Sequence, residues 1–287
     1  MKRTLAVLAF ALLMSSCVQL GSVWQNITGS FRGSDTDEAS EKVFSAITPE
    51  QEYIIGRAVA ANILSSYKIQ TNTPALTAYV NRICNALIVN SRRPEIFNGY
   101  HVAILDSDEI NAFATPGGHI FITRGLIECT TSEDVLAAVI AHEIAHIQLE
   151  HGLKAIRNNR FTQIVLDAAD SAVSGAAGLF KISERADTLK VSVKEIASSM
   201  MNNGYSKIQE FEADSDALNL LARAGYAPSS LIEMLRVLEK NQPDVKGGFN
   251  NTHPDPAERI RNIQRHSRSF RVPDTRSHRK DRYSSFL

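Results

Sequence analysis

The chain has 287 residues, 44% of them hydrophobic, and carries 31 basic and 31 acidic side chains. That length and apolar content can build one substantial core, alone or with appendages. The balanced charge gives no footing for nucleic acid or for a generally basic membrane-facing surface, and no internal segment has the long apolar run of a membrane span.

Met1 to Cys17 reads as an export signal: Lys2 and Arg3, a nearly uniform apolar run from Leu5 to Leu13, then small residues before a cysteine. Met14-Ser15-Ser16-Cys17 resembles a bacterial lipobox, whose cysteine becomes the lipidated first residue, with Met14 where leucine is usual. On this reading residues 1–16 are a lipoprotein signal peptide and Cys17 is the lipidation site. The plainer alternative is a secretory signal cleaved nearby, with Cys17 incidental. Gly21 to Ser40 is polar and lacks periodicity, so residues 17–45 form a flexible tether and the folded domain spans 46–266.

Thr48-Pro49-Glu50-Gln51 opens a helix that runs to about Tyr67, with proline at its first position. Pro74 starts a second, to about Asn90, in which Leu76, Tyr79, Val80, Ile83 and Leu87 make one buried stripe. Tyr100 to Leu105 has strand character, and Asn111 to Thr123 reads as a hairpin turning at Pro116-Gly117-Gly118. A strand here with a free backbone edge could pair with an extended peptide; equally, the strands could serve the sheet alone.

Glu133 to Glu150 lacks Gly and Pro and is rich in Ala, Leu, Ile and Glu, which predicts a helix. Thr131 or Ser132 caps its start, Glu133 and Asp134 suit the positive end of its dipole, and Gly152 ends it. Within it stand His142-Glu143-Ile144-Ala145-His146. Residues four apart on a helix lie one above the other, so His142 and His146 can share one Zn²⁺ through ring nitrogens. Glu143 can then reach a water at that metal and take its proton. An unpaired imidazole in so apolar a run would be costly, which favours the metal over a chance pair of surface histidines. His151, five residues beyond His146, turns away if the helix continues, and reads as a cap or salt link at the helix end.

Ala155 to Met201 is predicted helical, broken at Gly175 and Gly178. Gly204 to Leu218 then crowds four carboxylates onto one helical segment. Glu210 and Asp214 share a face with Ala217 and Leu221, whereas Glu212 and Asp216 point roughly opposite, towards solvent. Glu210 is therefore the candidate third ligand, with Asp214 behind it accepting the outer N–H of a metal-bound histidine. The bland alternative is a solvated acidic face. After a turn at Gly225-Tyr226-Ala227-Pro228, Ser229 to Lys240 is amphipathic; His253, held in a loop between Thr252 and Pro254, is a candidate active-site contact, the plainer alternative being a solvated loop histidine. Ser267 to Leu287 is basic and hydroxyl-rich and reads as a disordered tail. If Cys17 carries lipid, Cys84 and Cys129 are either a disulfide or two separate buried thiols.

With the two histidines and the later carboxylates in hand, the chain resembles the zinc metallopeptidase family of the Ste-type CAAX prenyl proteases and HtpX, in its soluble BepA/LoiP-like lipoprotein branch. The likeness runs from about Thr48 to Arg261 and includes Asn111-Ala112-Phe113-Ala114-x-Pro116-Gly117-Gly118, Arg124-Gly125-Leu126, Gly204-Tyr205-Ser206, Glu210-Phe211-Glu212-Ala213-Asp214 and Thr252-His253-Pro254. The resemblance implies a mostly helical α+β fold of gluzincin type, with a small sheet whose edge strand flanks the zinc helix. It implies one zinc per chain on His142, His146 and Glu210, Glu143 as catalytic base, and Asp214 in support. It further implies that Asn111 and Ala112 hold substrate backbone, and that His253 and Arg259 lie near the metal, where the histidine contacts substrate or blocks the zinc. Lys207 departs from the arginine common in relatives.

The resulting expectation is a zinc metalloendopeptidase of the bacterial cell envelope, lipid-anchored (to the outer membrane) and facing the periplasm. Its partners would be misfolded or misassembled envelope polypeptides, in a quality-control role, with no nucleic acid and no membrane contact beyond the N-terminal lipid. Tyr205 and His253 are candidate donors to the developing oxyanion. The rival from another class is an envelope chaperone or assembly factor with secondary or latent proteolysis; the presence of Glu143 weighs against it, since a purely structural zinc needs no base.

Overall fold

The computed structural model describes residues 47–157, 162–173, 186–198, 200–201, 204–241, 249–253, 255–273 and 275–286. The signal peptide, Cys17, the whole tether and the break at Gly175 and Gly178 lie outside the described residues. Helix α1 (Pro49–Ser66) begins with a capping box: the Thr48 hydroxyl accepts from the Gln51 amide at 3.2 Å, and the Gln51 side chain accepts from the Thr48 amide at 2.7 Å. Helix α2 (Pro74–Ile88) buries Tyr79, Val80, Ile83 and Leu87 of the stripe its spacing predicts, and Leu76 is partly buried against the same core.

The strands β1 (His101–Leu105), β2 (Ala112–Ala114) and β3 (His119–Thr123) form one sheet in the order β1-β3-β2. β1 runs parallel to β3 and β2 antiparallel to it, so β2 is an edge strand. The turn between β2 and β3 is a 3-10 turn, Pro116–Gly118, pressed onto α1. Gly117 there has φ 73°, and a Cβ would stand 2.6 Å from the Tyr53 Cα, so the turn needs glycine for both reasons.

The centre of the fold is α4 (Glu133–Gln148), which follows the short α3 (Arg124–Cys129) and is buried at every position. Helices α5 (His151–Arg157), α6 (Thr162–Val173) and α7 (Ala186–Ser198) come next, then α8 (Lys207–Arg223), α9 (Ser230–Asn241), the short α10 (Phe249–Thr252), α11 (Pro256–Ser267) and α12 (Arg276–Ser284). Strand alternation sends Val102, Ile104, Ile120 and Ile122 into a core shared with α2, α4, α8 and α9. Phe113 and Phe121 enter a second core on the other face, with α1, α6 and α7. The fold is thus α+β and mostly helical, with a small sheet between two helical layers.

Three expectations change, and one alternative left open is decided. The zinc-motif helix does not run on to Gly152: it ends at Gln148, and Glu150 adopts a left-handed conformation (φ 57°) before α5 begins. Asp216 is buried rather than solvated, because α8 lies along α4 and holds this carboxylate against Gln148 (2.7 Å) and Arg92 (3.1 Å). The basic tail is not disordered throughout: α12 docks on the start of α4, where Arg282 Nε donates to Glu133 at 2.7 Å and Arg279 Nε to Asp134 at 2.8 Å. A highly charged segment with little apolar surface of its own is ordered here by buried carboxylates on its neighbour. Of the two states left open for Cys84 and Cys129, the structure has two free thiols.

Candidate metal centre

α4 and α8 pack side by side, and each contributes the face that the sequence periodicity selects. From α4 come His142 and His146, one turn apart, their Nε2 atoms 3.1 Å from each other. From the first turn of α8 comes Glu210, whose carboxylate oxygens lie 3.4 Å from each of those nitrogens. A fourth donor arrives from the loop after α10: His253 Nδ1 stands 3.2 Å from His142 Nε2 and 3.0 Å from Glu210 Oε1. All four side chains are buried, and each offers one ligand atom within 4.8 Å of the others. Donors at about 2.0 Å from a tetrahedral zinc are separated by about 3.3 Å, so this spacing fits one such ion.

The remaining nitrogen of each α4 histidine is also engaged. His142 Nδ1 is 3.2 Å from Asp214 Oδ1, one turn after Glu210, as the helical spacing predicts. Arg259, from α11, is almost fully buried and closes the back of the site. Its Nε and Nη2 donate to the two Asp214 oxygens at 2.9 and 2.7 Å. Its Nη1 lies 3.0 Å from Glu210 Oε2, off the direction of a proper hydrogen bond, so that contact is one of charge. Arg259 Nη2 also approaches His142 Nδ1 to 3.3 Å, but a ring that binds metal through Nε2 keeps its proton on Nδ1 and donates it to Asp214.

His146 Nδ1 meets His151 Nδ1 at 2.9 Å, and His151 Nε2 continues to Glu212 at 3.1 Å. Extrapolating the helix turned His151 away; the left-handed Glu150 turns it back. The link to a carboxylate at the helix end is present, but its other partner is His146. The sequence carried no signal for a left-handed glutamate, and the misplaced helix end hid the contact. Tyr205 stacks on His146 with ring centroids 3.9 Å apart and planes 17° apart. It is held there by its amide, which donates to the Thr252 carbonyl at 3.1 Å, and by Gly204 (φ 62°), which passes too close to Thr252 to admit a side chain.

Electrostatics follow from this enclosure. Burial pushes the Glu143 carboxyl above its ordinary range, and pushes His146 well below the usual imidazole value. Burial opposes ionisation of Glu210 as well, but the charges of His253 and Arg259 outweigh it and hold that carboxyl well down. Both oxygens of Glu143 are buried without a hydrogen-bond partner, His253 Nε2 being 3.6 Å away. An orphaned carboxylate beside four converging metal donors is the local chemistry expected where an ion and a water belong.

Asn111 and Ala112 lie near the site but are internally engaged on one side. The Asn111 side chain accepts from the Ala112 amide at 2.9 Å, and its carbonyl accepts from Thr123. Asn111 and Thr115 bond to β3, so alternation aims the backbones of Ala112 and Ala114 along the outer edge. A narrow cleft follows that edge, lined by Ala112, Ala114, Met200, Met201, Tyr205 and His253 among others. Lys207 pairs with Glu258 at the surface and leaves the support of Asp214 to Arg259.

Residues 74–267, more than half of the chain, match the profile of peptidase family M48. The chain belongs to that family. M48 peptidases are zinc-dependent, and the buried His/His/Glu/His group supplies the donor chemistry that a zinc ion takes. Among similar proteins, metalloprotease LoiP of Escherichia coli K12 is 31% identical over 199 residues, covering 68% of this chain and 73% of LoiP. The beta-barrel assembly-enhancing protease of Yersinia pestis is 28% identical over 216 residues, 71% of this chain and 41% of that protein. Mitochondrial metalloendopeptidase OMA1 of Schizosaccharomyces pombe is 29% identical over 196 residues, 66% of this chain and 52% of OMA1. This M48 chain therefore spans less than half of the assembly-enhancing proteases it matches. Among the described residues no helix is long and apolar enough to cross a membrane.

Proposed function

We propose that this M48 chain is a zinc metalloendopeptidase in which His142, His146 and Glu210 hold the ion and Glu143 is the catalytic base. The observation that carries the reading is the Glu143 carboxylate, buried with neither oxygen hydrogen-bonded among the described residues, next in sequence to His142 and 3.6 Å from the Nε2 of His253. Zinc, when bound there, supplies a Lewis acid that makes a water acidic and polarises a peptide carbonyl. Glu143 takes the proton of the attacking water and returns it to the departing amine. Its raised affinity for that proton, a consequence of burial, suits a group that must both accept and release it. Charge developing on the carbonyl oxygen would fall within reach of Tyr205 or His253, the two candidate donors at the cleft.

The outer edge of β2 is the proposed docking line, where an extended substrate would add a strand and lie across Glu143 and the donor group. Asn111 would then act by holding the Ala112 amide rather than by touching substrate itself. His253 stands among the metal donors, so it would have to yield before a substrate carbonyl could take its place; this is a self-blocked resting state.

The family and the names of the relatives support polypeptide substrates, and the assembly-enhancing proteases support envelope proteins among them. With the export signal and the Met14-Ser15-Ser16-Cys17 lipobox, we place the chain in the bacterial envelope, anchored through Cys17 to the outer membrane, its domain in the periplasm over residues 46–266. The experiment is Glu143→Gln: zinc content should equal that of the wild type, while cleavage of an unfolded polypeptide such as casein drops by at least about a thousandfold. Undiminished cleavage by the zinc-loaded variant would remove Glu143 from the mechanism.

A further inference from the structure

Among the described residues, only His142 of the two α4 histidines is backed directly by a carboxylate, Asp214 at 3.2 Å. The outer nitrogen of His146 meets another imidazole instead. We infer that His151 and Glu212 form a positioning relay that fixes the tautomer and orientation of the His146 ring. The inference rests on the reading of His146 as a zinc ligand through Nε2.

Every donor and acceptor along the relay is then determined. A ring that gives its Nε2 lone pair to a metal carries its proton on Nδ1. The 2.9 Å contact between the two Nδ1 atoms therefore has His146 donating and His151 accepting. His151, with a lone pair on Nδ1, holds its own proton on Nε2, which donates to Glu212 Oε2 at 3.1 Å. The order is His146 Nδ1–H to His151 Nδ1, then His151 Nε2–H to the Glu212 carboxylate. His151 is fully buried, while the Glu212 side chain is 50% exposed, so the relay runs from the metal centre to the surface of α8.

The surrounding backbone is arranged to make the contact. A continuous α4 would carry residue 151 around the helix and away from His146. Glu150 instead takes a left-handed conformation that side-chain-bearing residues rarely adopt, and α5 starts afresh at His151. Tyr205 fixes the plane of the His146 ring by stacking; His151 fixes its rotation within that plane. Hydrogen bonds to the outer nitrogen of a metal-binding histidine orient the ring and raise its basicity. The relay would give His146 this support although no carboxylate among the described residues touches its Nδ1 directly.

The test uses the full chain. Zinc affinity is read by competition with a chromogenic chelator, and site geometry by the visible spectrum after loading with Co²⁺ alone. His151→Phe keeps a ring but no acceptor, and should weaken zinc by about 10–100-fold and shift the Co²⁺ bands. His151→Asn places an amide oxygen near the position of Nδ1 and should recover most of the affinity. Glu212→Ala, at the surface, should lose at least about threefold and add nothing in the His151→Phe background. A merely structural His151 would lower the melting temperature of both variants alike and leave affinity and spectrum unchanged, which overturns the relay. Should His151→Phe not fold, Glu212→Ala decides: wild-type zinc affinity overturns the inference and a loss supports it. A wild-type chain that takes up no zinc removes the metal reading and the relay together, whereas zinc binding indifferent to these residues removes the relay alone.

Discussion

Arg259 lets two carboxylates share the floor of the centre: its guanidinium, itself buried, spans Asp214 with two hydrogen bonds and stands 3.0 Å from Glu210. Removing one partner of a buried ion pair leaves the other's desolvation uncompensated. Arg259→Met should therefore destabilise the metal-free protein by about 3–5 kcal/mol in urea denaturation, with added zinc restoring part of the loss by neutralising Glu210. Arg259→Lys should rescue little, because a single ammonium cannot span both acids as the planar fork does. A variant as stable as the wild type without metal would show that the arginine does not carry this balance. At this scale the sequence was informative wherever one regular helix sets the geometry. His142, His146, Glu210 and Asp214 follow from turns of 3.6 residues alone. His253 stood out locally as a loop histidine between Thr252 and Pro254, but its place at the metal, like that of Arg259, came only through family resemblance, since no local pattern ties a loop and a later helix to a metal. His151 was misplaced by assuming a straight helix through an irregular joint.

At the scale of elements, α12 is the clearest departure from expectation. Its composition is that of a solvated tail, and nothing in its own residues announces a partner. The legible half of the contact lay 145 to 149 residues earlier, in two acids at the head of a helix whose next seven residues are apolar. Glu133 accepts from Tyr79 at 2.6 Å and Tyr226 at 3.0 Å as well as from Arg282, and Phe286 stacks on Tyr79 with centroids 4.3 Å apart. Burial pushes the Glu133 carboxyl up, but the hydrogen bonds from Arg282, Tyr79 and Tyr226 outweigh it and hold the group below its ordinary 4.5. A carboxyl whose pKa is lower folded than unfolded stabilises the fold above about pH 4.5, and that contribution fades as pH falls through the folded value. The stability gap between wild type and Glu133→Gln should thus be widest near neutrality and narrow below pH 4.5, in denaturation curves taken across that range. A gap independent of pH would mean that Glu133 is not charged in the folded protein. The strands and the amphipathic helices, by contrast, fell where their periodicities put them, because alternation divides the strand side chains between two cores and each of those helices buries one face.

For the whole molecule, two cores on either side of a small sheet bring α4, α8 and the segment after α10 together over one point. The long separations along the chain (residues 142, 210 and 253) are closed by packing of apolar faces, and the metal donors ride on the faces so joined. Sheet order was not legible from sequence: alternation identifies strands, but only the folded chain makes β2 the edge and sets that edge beside the donors. The central claim is that this junction holds one zinc ion on nitrogen and oxygen donors of α4 and α8. X-ray absorption at the zinc edge, on purified protein with its metal content determined, tests it most directly. One zinc per chain is expected, with a shell of nitrogen and oxygen at about 2.0–2.1 Å and the outer-shell scattering of at least two imidazoles. A chain that retains no zinc, or a spectrum dominated by sulfur at about 2.3 Å, would contradict it.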